Sequence, residues 1–500
     1  MHDNQQSQPI HFLLNGRPTM VDDVLPTMTV LEFLRQRERC TGTKEGCAEG
    51  DCGACTVVVG EKVNGKVELK AVNACIQFLP TLGGKALFTV ESLRGNAGEL
   101  HPVQAAMVEC HGSQCGFCTP GFVMSLWALY VDCVDPQNPV PPNENDVRRA
   151  ITGNLCRCTG YRPIVEAGKR MLEAPMVDFN RDALSNELDR LPSARLSGEQ
   201  YYEFSGQKFF APCTLSQLIA LRANFPTSTI LAGGTDVGLW VNKQFRDLGV
   251  ILYTGDVEEL RAISEDSTSI AIGAAVTLTD AYSALTTHFP EMNEMWERFA
   301  SRPIRNVGTL GGNIANGSPI GDAMPALIAL GARIALRNST RVREMPLEDL
   351  YIGYRQSAMR ADEVLVSIVI PKPLPTQRFR VYKLSKRFDS DISAVCAAFA
   401  IELEGSTVKH CRIAFGGMAA TPKRAMLTEK CLVGCEWNDA ALQVAMKTLT
   451  KDFAPLSDVR ATAQYRMTTA QNLLQRFYLE TRTENPLPIE ALNVFAVSPT

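Results

Sequence analysis

Apolar and polar positions alternate across residues 10–22 on either side of Asn15-Gly16. That dipeptide accepts the positive φ angles of a two-residue turn, so the segment predicts a β-hairpin. At Thr29 the spacing changes. Thr29-x-x-Glu32 reads as a capping box, and Leu31, Phe33 and Leu34 belong to the helix it opens. Residues 40–55 lose all periodicity and become rich in Gly and Cys. The β-branched run 56–59 and the stretch 85–90 predict short strands, so residues 9–92 describe a small α+β unit wrapped around a cysteine loop. Helical spacing then takes over at 101–110, 120–132, 143–151 and 163–173. Thr119-Pro120 supplies a cap followed by proline at the first helical position, and Asn143 caps the third helix. Four short helices joined by cysteine-bearing turns predict a small bundle over 93–176.

Residues 177–203 are polar, mixed in charge and without clear periodicity, and read as a linker. From Phe204 the pattern is mixed again. Ile230-Leu231-Ala232 and Ile270-Ala271-Ile272 read as strands alternating with helical stretches, and glycine pairs sit at 233–234 and 311–312. Pro371, Pro373 and Pro375 mark a boundary. Beyond it, strands at 393–403 and 411–415 lead to a long helical tail.

Composition narrows the class. At 500 residues the chain is long enough for three or four domains and a large core without disulfide support. A net charge of −4 with no basic stripe argues against nucleic acid. The polar opening shows no export signal. The longest uncharged apolar run, 121–131, is far short of the ~20 residues of a membrane span. The sixteen cysteines are the anomaly: eleven fall between Cys40 and Cys158. Clustered cysteines in a large chain without an export signal point to metal ligation and a cytoplasmic setting rather than disulfides.

Cys47, Cys52 and Cys55 form C-x4-C-x2-C and are followed by Cys75, the plant-type spacing for a [2Fe–2S] cluster. Gly42, Gly46, Gly50 and Gly53 would let the loop close around the sulfides. Zinc prefers paired C-x2-C knuckles, often with histidine, which this loop lacks. Cys40 lies outside the spacing. The second set, Cys115-Gly-Phe-Cys118 and Cys156-Arg-Cys158, suits either zinc or a second [2Fe–2S] cluster. Cys110 and Cys133 fall on apolar helix faces as core residues, and His101 and His111 at helix ends, none of the six histidines reading as catalytic.

Gln114-Cys-Gly-Phe-Cys-Thr-Pro-Gly121 and Gly153-Asn-Leu-Cys-Arg-Cys-Thr-Gly-Tyr161 resemble the signature of the xanthine oxidase family of molybdenum hydroxylases. The resemblance runs from about residue 9 to 490. It implies a multidomain α+β fold: a β-grasp plant-type ferredoxin domain at 9–92, a four-helix [2Fe–2S] domain at 93–176, a linker at 177–203, a two-part α/β FAD-binding domain at 204–375, and a small α+β C-terminal domain at 376–490. It also implies two [2Fe–2S] clusters, with the segment around Gln114 facing a molybdopterin.

Thr229-Ile-Leu-Ala-Gly-Gly-Thr-Asp236 is a strand running into a glycine turn, and Gly308-Thr-Leu-Gly-Gly-Asn313 repeats the device. Such turns suit a pyrophosphate, though a strand followed by Gly-Gly is often a plain tight turn, and neither stretch is a G-x-G-x-x-G fingerprint. The resemblance implies FAD contacts at Thr229, Ile230, Leu231, Ala232, Gly233, Gly234, Thr235 and Asp236, and at Thr309, Leu310, Gly311, Gly312 and Asn313. It adds Phe299, Asp322, Leu365 and Lys383 as further FAD contacts, with core packing an equal reading for Phe299 and Leu365. Tyr354 and Asp389, the latter in the loop Ser385-Lys-Arg-Phe-Asp389, would lie near NAD, against the alternative of a merely solvated loop. Gly416-Gly-Met418 with Thr421-Pro422 resembles the small closing domain.

The family resemblance further implies that hypoxanthine or xanthine is hydroxylated on a separate molybdopterin-binding large subunit. Electrons would run through the second cluster, the first cluster and FAD to NAD, in an assembly of two plus two subunits. No catalytic residue is expected on this chain. A sister enzyme acting on an aldehyde, carbon monoxide or another N-heterocycle is one alternative, although the fused order of clusters then FAD favours the purine enzyme. A zinc-stapled scaffold is the other.

Overall fold

The computed structural model describes residues 6–95, 97–134, 140–192, 199–488 and 491. The chain falls into two compact units. The first takes in residues up to Arg261 with Thr277–Thr279 and Ala300–Thr309; the second takes in Ala262–Val276, Asp280–Phe299 and residues from Leu310 onward.

The first unit begins with the predicted hairpin. Strands Ile10–Leu14 and Arg17–Val21 pair antiparallel, and Asn15 and Gly16 turn at φ 52° and 78°. They join a five-stranded sheet in the order Arg17–Val21, Ile10–Leu14, Ala86–Phe88, Thr56–Val63, Lys66–Asn73. The Ile10–Leu14 and Ala86–Phe88 strands run parallel at its centre. This is the β-grasp arrangement. The Thr29 capping box forms in full, with its hydroxyl and the Glu32 carboxylate exchanging hydrogen bonds with each other's backbone. The helix it opens is α only over Val30–Glu32 and widens to a π turn at Phe33–Arg37, where Glu38 N–H reaches back to Phe33 O.

Four helices follow at Pro102–Glu109, Thr119–Cys133, Glu144–Ile151 and Arg162–Arg170. Thr119–Cys133 is buried on every side from Gly121 to Val131, because it packs against the sheet strands as well as its sister helices. That explains an apolar run with no polar face. Thr119 is not the cap: it is already helical, and its hydroxyl bonds Ser113 at 2.7 Å. Asn143 caps its helix as predicted. The segment read as a linker carries a helix, Arg181–Arg190, capped by Asn180. Leu184, Leu188 and Leu191 form a narrow buried stripe amid charges, too sparse to register as periodicity.

A four-stranded sheet, Glu199–Phe204, Gln207–Pro212, Val250–Tyr253 and Thr229–Leu231 in spatial order, completes this unit. Its core is shared with the N-terminal sheet: Tyr202, Phe209 and Ile251 pack in one cluster with Phe12, Leu34 and Phe78. The buried Tyr202 hydroxyl also bonds the backbone of Val24.

Besides a two-stranded ribbon, Tyr351–Gly353 with Gln356–Ser357, the second unit holds two larger antiparallel sheets. One runs Ile263–Glu265, Ser269–Gly273, Val364–Pro371, Arg333–Arg337, Val342–Pro346; the other runs Gln377–Leu384, Val395–Glu404, Thr407–Gly416, Lys423–Arg424. Helices Met426–Leu432, Asp439–Asp452 and Ala463–Thr481 cover the latter, and Phe399, Phe415 and Phe477 stack in its core. Among the described residues no helix is long and apolar enough to cross a membrane.

Candidate cofactor sites

All sixteen cysteines are free thiols, which removes the disulfide reading. Among the described residues no three His, Cys, Asp or Glu side chains gather as a single metal ion would gather them. The eight predicted ligands sit as two sets of neighbouring thiols. Cys47 lies against Cys52 and Cys75, and Cys75 against Cys55. In the second set Cys118 meets Cys156 and Cys115 meets Cys158. Four thiols in each set is the ligand count of a [2Fe–2S] cluster. The residues present fit two such clusters.

The surroundings divide the thiols, lowering Cys47, Cys55 and Cys156 and raising their neighbours. Hydrogen bonds from the Cys52 and Cys75 thiols hold Cys47 well below the usual thiol range, and Cys52 and Cys75 are raised in exchange. Cys52 N–H points at Cys47 Sγ at 3.3 Å, and Asn73 Nδ2 at Cys55 Sγ at 3.8 Å. Partial burial of Cys156 opposes ionisation, yet donors from Thr159 and from the Cys158 backbone hold it below the usual range. Burial, then the Cys156 thiol, pushes Cys118 up to about 12. Tyr161, at φ 68°, accepts from Cys156 N–H at 3.0 Å and so pins this ligand loop. Cys40 stands apart: burial, then Glu91 and Glu38, keep it a protonated thiol.

The loop glycines divide by role. A Cβ on Gly46 would lie 2.8 Å from Cys52 Sγ, the close approach to sulfur that the sequence suggested. The others serve different neighbours. A Cβ on Gly42 would strike Val90, one on Gly50 would strike Ile76 and Ile304, and one on Gly53 would lie 2.0 Å from Gly153 O. Gly53 thus admits the second cysteine loop. Asn154 Nδ2 donates to Gly53 O at 3.0 Å, and Leu155 N–H donates to Cys52 O at 3.0 Å. Gln114, Cys115, Phe117 and Cys158 are exposed.

The turn after Thr229–Leu231 meets the segment that follows Cys75, within the same unit. Gln77 Nε2 donates to Gly233 O at 2.9 Å. A Cβ on Gly234, at φ 73°, would lie 2.9 Å from Ile76 O, and one on Gly233 would lie 1.9 Å from Val307 O. These glycines therefore admit protein backbone on one side as well as freeing the turn. Asp236 opens the helix Val237–Asn242, and Thr309 pairs with Thr277 as an isolated bridge.

In the second unit, Leu310 and Gly311 N–H bond Val276 O and Ala274 O at the start of the helix Leu310–Asn316. Among the described residues Asn313 Oδ1 is buried with no hydrogen-bond partner, an acceptor that a ligand hydroxyl or N–H would satisfy. Phe299 is half-buried, edge-on to Trp296 and Tyr282. Leu365 is buried opposite Leu336 in the sheet, as core packing would have it. Asp322 and Lys383 are buried against one another at 2.6 Å. Lys383 Nζ also donates to Asp391 O and Ser393 Oγ, and Ser393 Oγ donates to Asp322 Oδ1. The three ammonium protons are thus engaged within the protein. Tyr354 is exposed beneath the Arg355 guanidinium.

Asp389 lies on the exposed crest of a loop that is tethered rather than merely solvated. Arg298 Nε donates to Phe388 O, its guanidinium covers the Phe388 ring at 4.5 Å, and Nη2 donates to Ser385 Oγ. Arg298, Ser393, Gln77 and Asn242 carry no motif, and only their tertiary partners mark them; Asn154 lies inside the second signature, but its bonds to Gly53 and Ser125 do not show there. Arg298 has one clue in sequence, its place beside Phe299.

Four family models match in order along the chain. They are a 2Fe-2S iron-sulfur cluster binding domain at 12–78, a [2Fe-2S] binding domain at 89–169, the FAD binding domain in molybdopterin dehydrogenase at 202–373, and the CO dehydrogenase flavoprotein C-terminal domain at 380–481. The chain is 33% identical to a xanthine dehydrogenase of Emericella nidulans over 94% of its own length and 38% of the relative's. It is 30% identical to a xanthine dehydrogenase/oxidase of Gallus gallus over 94% and 40%. It thus spans about two fifths of the curated relatives it matches. Among solved structures it resembles the carbon monoxide dehydrogenase of Hydrogenophaga pseudoflava, with 27% identity, TM-score 0.51, and 54% of this chain and 94% of that one covered. It also resembles quinoline 2-oxidoreductase from Pseudomonas putida 86, with 25% identity, TM-score 0.51, and 57% and 100% covered.

Fold, thiol sets and matches define the class: the chain carries the two iron–sulfur domains and the FAD-binding domains of the xanthine oxidase family of molybdenum hydroxylases. It carries two [2Fe–2S]-binding modules followed by an FAD-binding module.

Proposed function

We propose that this chain is the iron–sulfur and flavin subunit of an NAD-linked xanthine dehydrogenase, working in the cytoplasm with a separate molybdopterin-binding large subunit that oxidises hypoxanthine and xanthine toward urate, two copies of each. One observation carries the reading: three segments lie in direct contact in series, Leu155 N–H on Cys52 O and Gln77 on Gly233 O. When bound, two [2Fe–2S] clusters and FAD supply single-electron carriers and a centre that passes electrons on in pairs.

Cys47, Cys52, Cys55 and Cys75 hold the first cluster, and Cys115, Cys118, Cys156 and Cys158 the second. Within the first unit the turn 229–236 and Thr309 are the candidate flavin contacts; within the second unit they are residues 310–313, Phe299 and Leu365. Asn313 Oδ1 accepts a flavin-side donor. Asp322 and Lys383 act by holding Asp391 and Ser393, and with them the loop bearing Asp389. Tyr354 and Asp389 border the NAD approach. Cys115, Cys158 and Gln114 face the partner, since they are the exposed side of the second set. The domain ranges 9–92, 93–176, 204–375 and 376–490 follow, with 177–203 a joining segment that has its own helix.

A second reading, the corresponding part of another molybdenum hydroxylase, draws on the likeness to the carbon monoxide and quinoline enzymes. The purified chain tests both. A brown-yellow protein with about four iron, as two clusters require, and one FAD supports the proposal. Bleaching of its visible spectrum by NADH favours the NAD-linked reading over the second. Zinc in place of iron, with no flavin after anaerobic reconstitution, overturns both.

A further inference from the structure

The cage of the first thiol set is braced by a neighbour that no cysteine motif reveals. The helix Val237–Asn242 starts at the 229–236 turn and ends against the cage. The Asn242 side-chain amide donates to Cys75 O at 2.6 Å and to Ala48 O at 3.2 Å. A single amide therefore ties the segment of the fourth thiol to the loop of the other three. The next residue adds charge: Lys243 Nζ donates to Cys47 O at 2.5 Å, with Glu49 at 3.9 Å. The loop itself carries Lys44 against Glu45, Glu49 and Asp51, a net negative charge that a cation supplied from another element offsets further. Ala48 sits at φ 53°, a conformation an L-residue keeps only when its surroundings hold it there. The Asn242 bond to its carbonyl is one such hold.

We propose that Asn242 and Lys243 are positioning residues of the first cluster. Asn242 fixes the relation between Cys75 and the Cys47–Cys55 loop, and Lys243 raises the cluster's reduction potential by placing a positive charge on the Cys47 carbonyl. This rests on the assignment of Cys47, Cys52, Cys55 and Cys75 to a [2Fe–2S] cluster. The physical basis is general: cluster potential follows local charge, hydrogen bonding and solvent exposure, and groups that orient ligands are felt at the metal. The six-residue helix also links cage and turn mechanically, so a shift at Asn242 is transmitted toward Asp236.

The test is a redox titration of the full chain read by electron paramagnetic resonance, with iron measured on the same samples. Cys115→Ser identifies the second cluster's signal by altering it. Lys243→Met is expected to move the first cluster's midpoint to a more negative value and leave the second unchanged, while Lys243→Arg restores it. Asn242→Asp, the same shape without the donor, is expected to shift the first signal's line shape as well. Should Asn242→Asp fail to fold, Lys243→Met decides, because that side chain is 43% exposed and not part of the core. Full iron with an unmoved first midpoint in Lys243→Met overturns the inference. Wild-type chain that takes up no iron after reconstitution overturns instead the cluster assignment beneath it.

Discussion

The backbone N–H of Leu155 donates to the carbonyl of Cys52 at 3.0 Å, so one hydrogen bond joins the two cysteine loops. The contact requires an unusually close approach of chain to chain. A Cβ on Gly53 would lie 2.0 Å from Gly153 O, and one on Gly121 would lie 2.2 Å from Gly53 O. Asn154, buried, fills what remains: its Nδ2 donates to Gly53 O and Thr56 Oγ1, and its Oδ1 accepts from Ser125.

Gly53→Ala therefore drives the loops apart. It combines a left-handed backbone at φ 70°, costing about 1–2 kcal/mol for an L-residue, with overpacking of about 1–3 kcal/mol. Thermal melting is expected to show that loss together with altered signals from both clusters. Gly65→Ala, at φ 79° but in open space, controls for the backbone part alone and should leave both signals intact.

Cys40→Ser is expected to keep full iron content and to change stability little, since Cys40 touches neither thiol set and is half-buried. Cys75→Ser, the same exchange of sulfur for oxygen but inside the cage, is expected to lose about half the iron, one cluster of two. Iron and acid-labile sulfide assays separate the two variants.

Removing one member of the Asp322–Lys383 pair strands the other in the interior. Lys383→Met or Asp322→Leu alone should cost about 3–5 kcal/mol, with much of that recovered in the double variant. Because Lys383 also holds Asp391 O, each single change should make the 385–391 loop more susceptible to trypsin at Lys386 and Arg387. Chemical denaturation and limited proteolysis read the two effects separately.

His101 supplies a pH dependence. Its Nδ1 accepts from Val103 N–H as the cap of Pro102–Glu109, and its ring lies edge-on to Tyr130 at 4.8 Å. Burial lowers its pKa to about 4 from an ordinary 6.5. The unfolded chain binds the proton more readily, so this contribution is whole above pH 6.5 and is lost as pH falls toward 4. The melting temperature should drop between pH 7.5 and 5.5 by more in the wild type than in His101→Asn, which keeps a capping acceptor but does not titrate.

Much of this molecule was legible before any coordinates. Local rules determined the hairpin at Asn15-Gly16, the Thr29 capping box, four helices within a few residues of their ends, and both cysteine sets, because turn geometry, capping and ligand spacing act over a handful of neighbours. Where competition between partners decides, the sequence was mute. Thr119 looks like a cap, but its hydroxyl is taken by Ser113. Gly53 looks like a bend toward sulfide, but it is the door for a loop a hundred residues away. Lys383 reads as a flavin contact by resemblance alone, and only the fold shows its ammonium donating to Asp322, Ser393 and Asp391. The helix at Arg181–Arg190 shows three leucines whose burial depends on a core assembled from elsewhere. Asn242 and Lys243 stand in no motif at all. Their meaning comes from ending a short helix beside Cys47 and Cys75, and only the fold brings residues so distant in sequence within hydrogen-bonding distance.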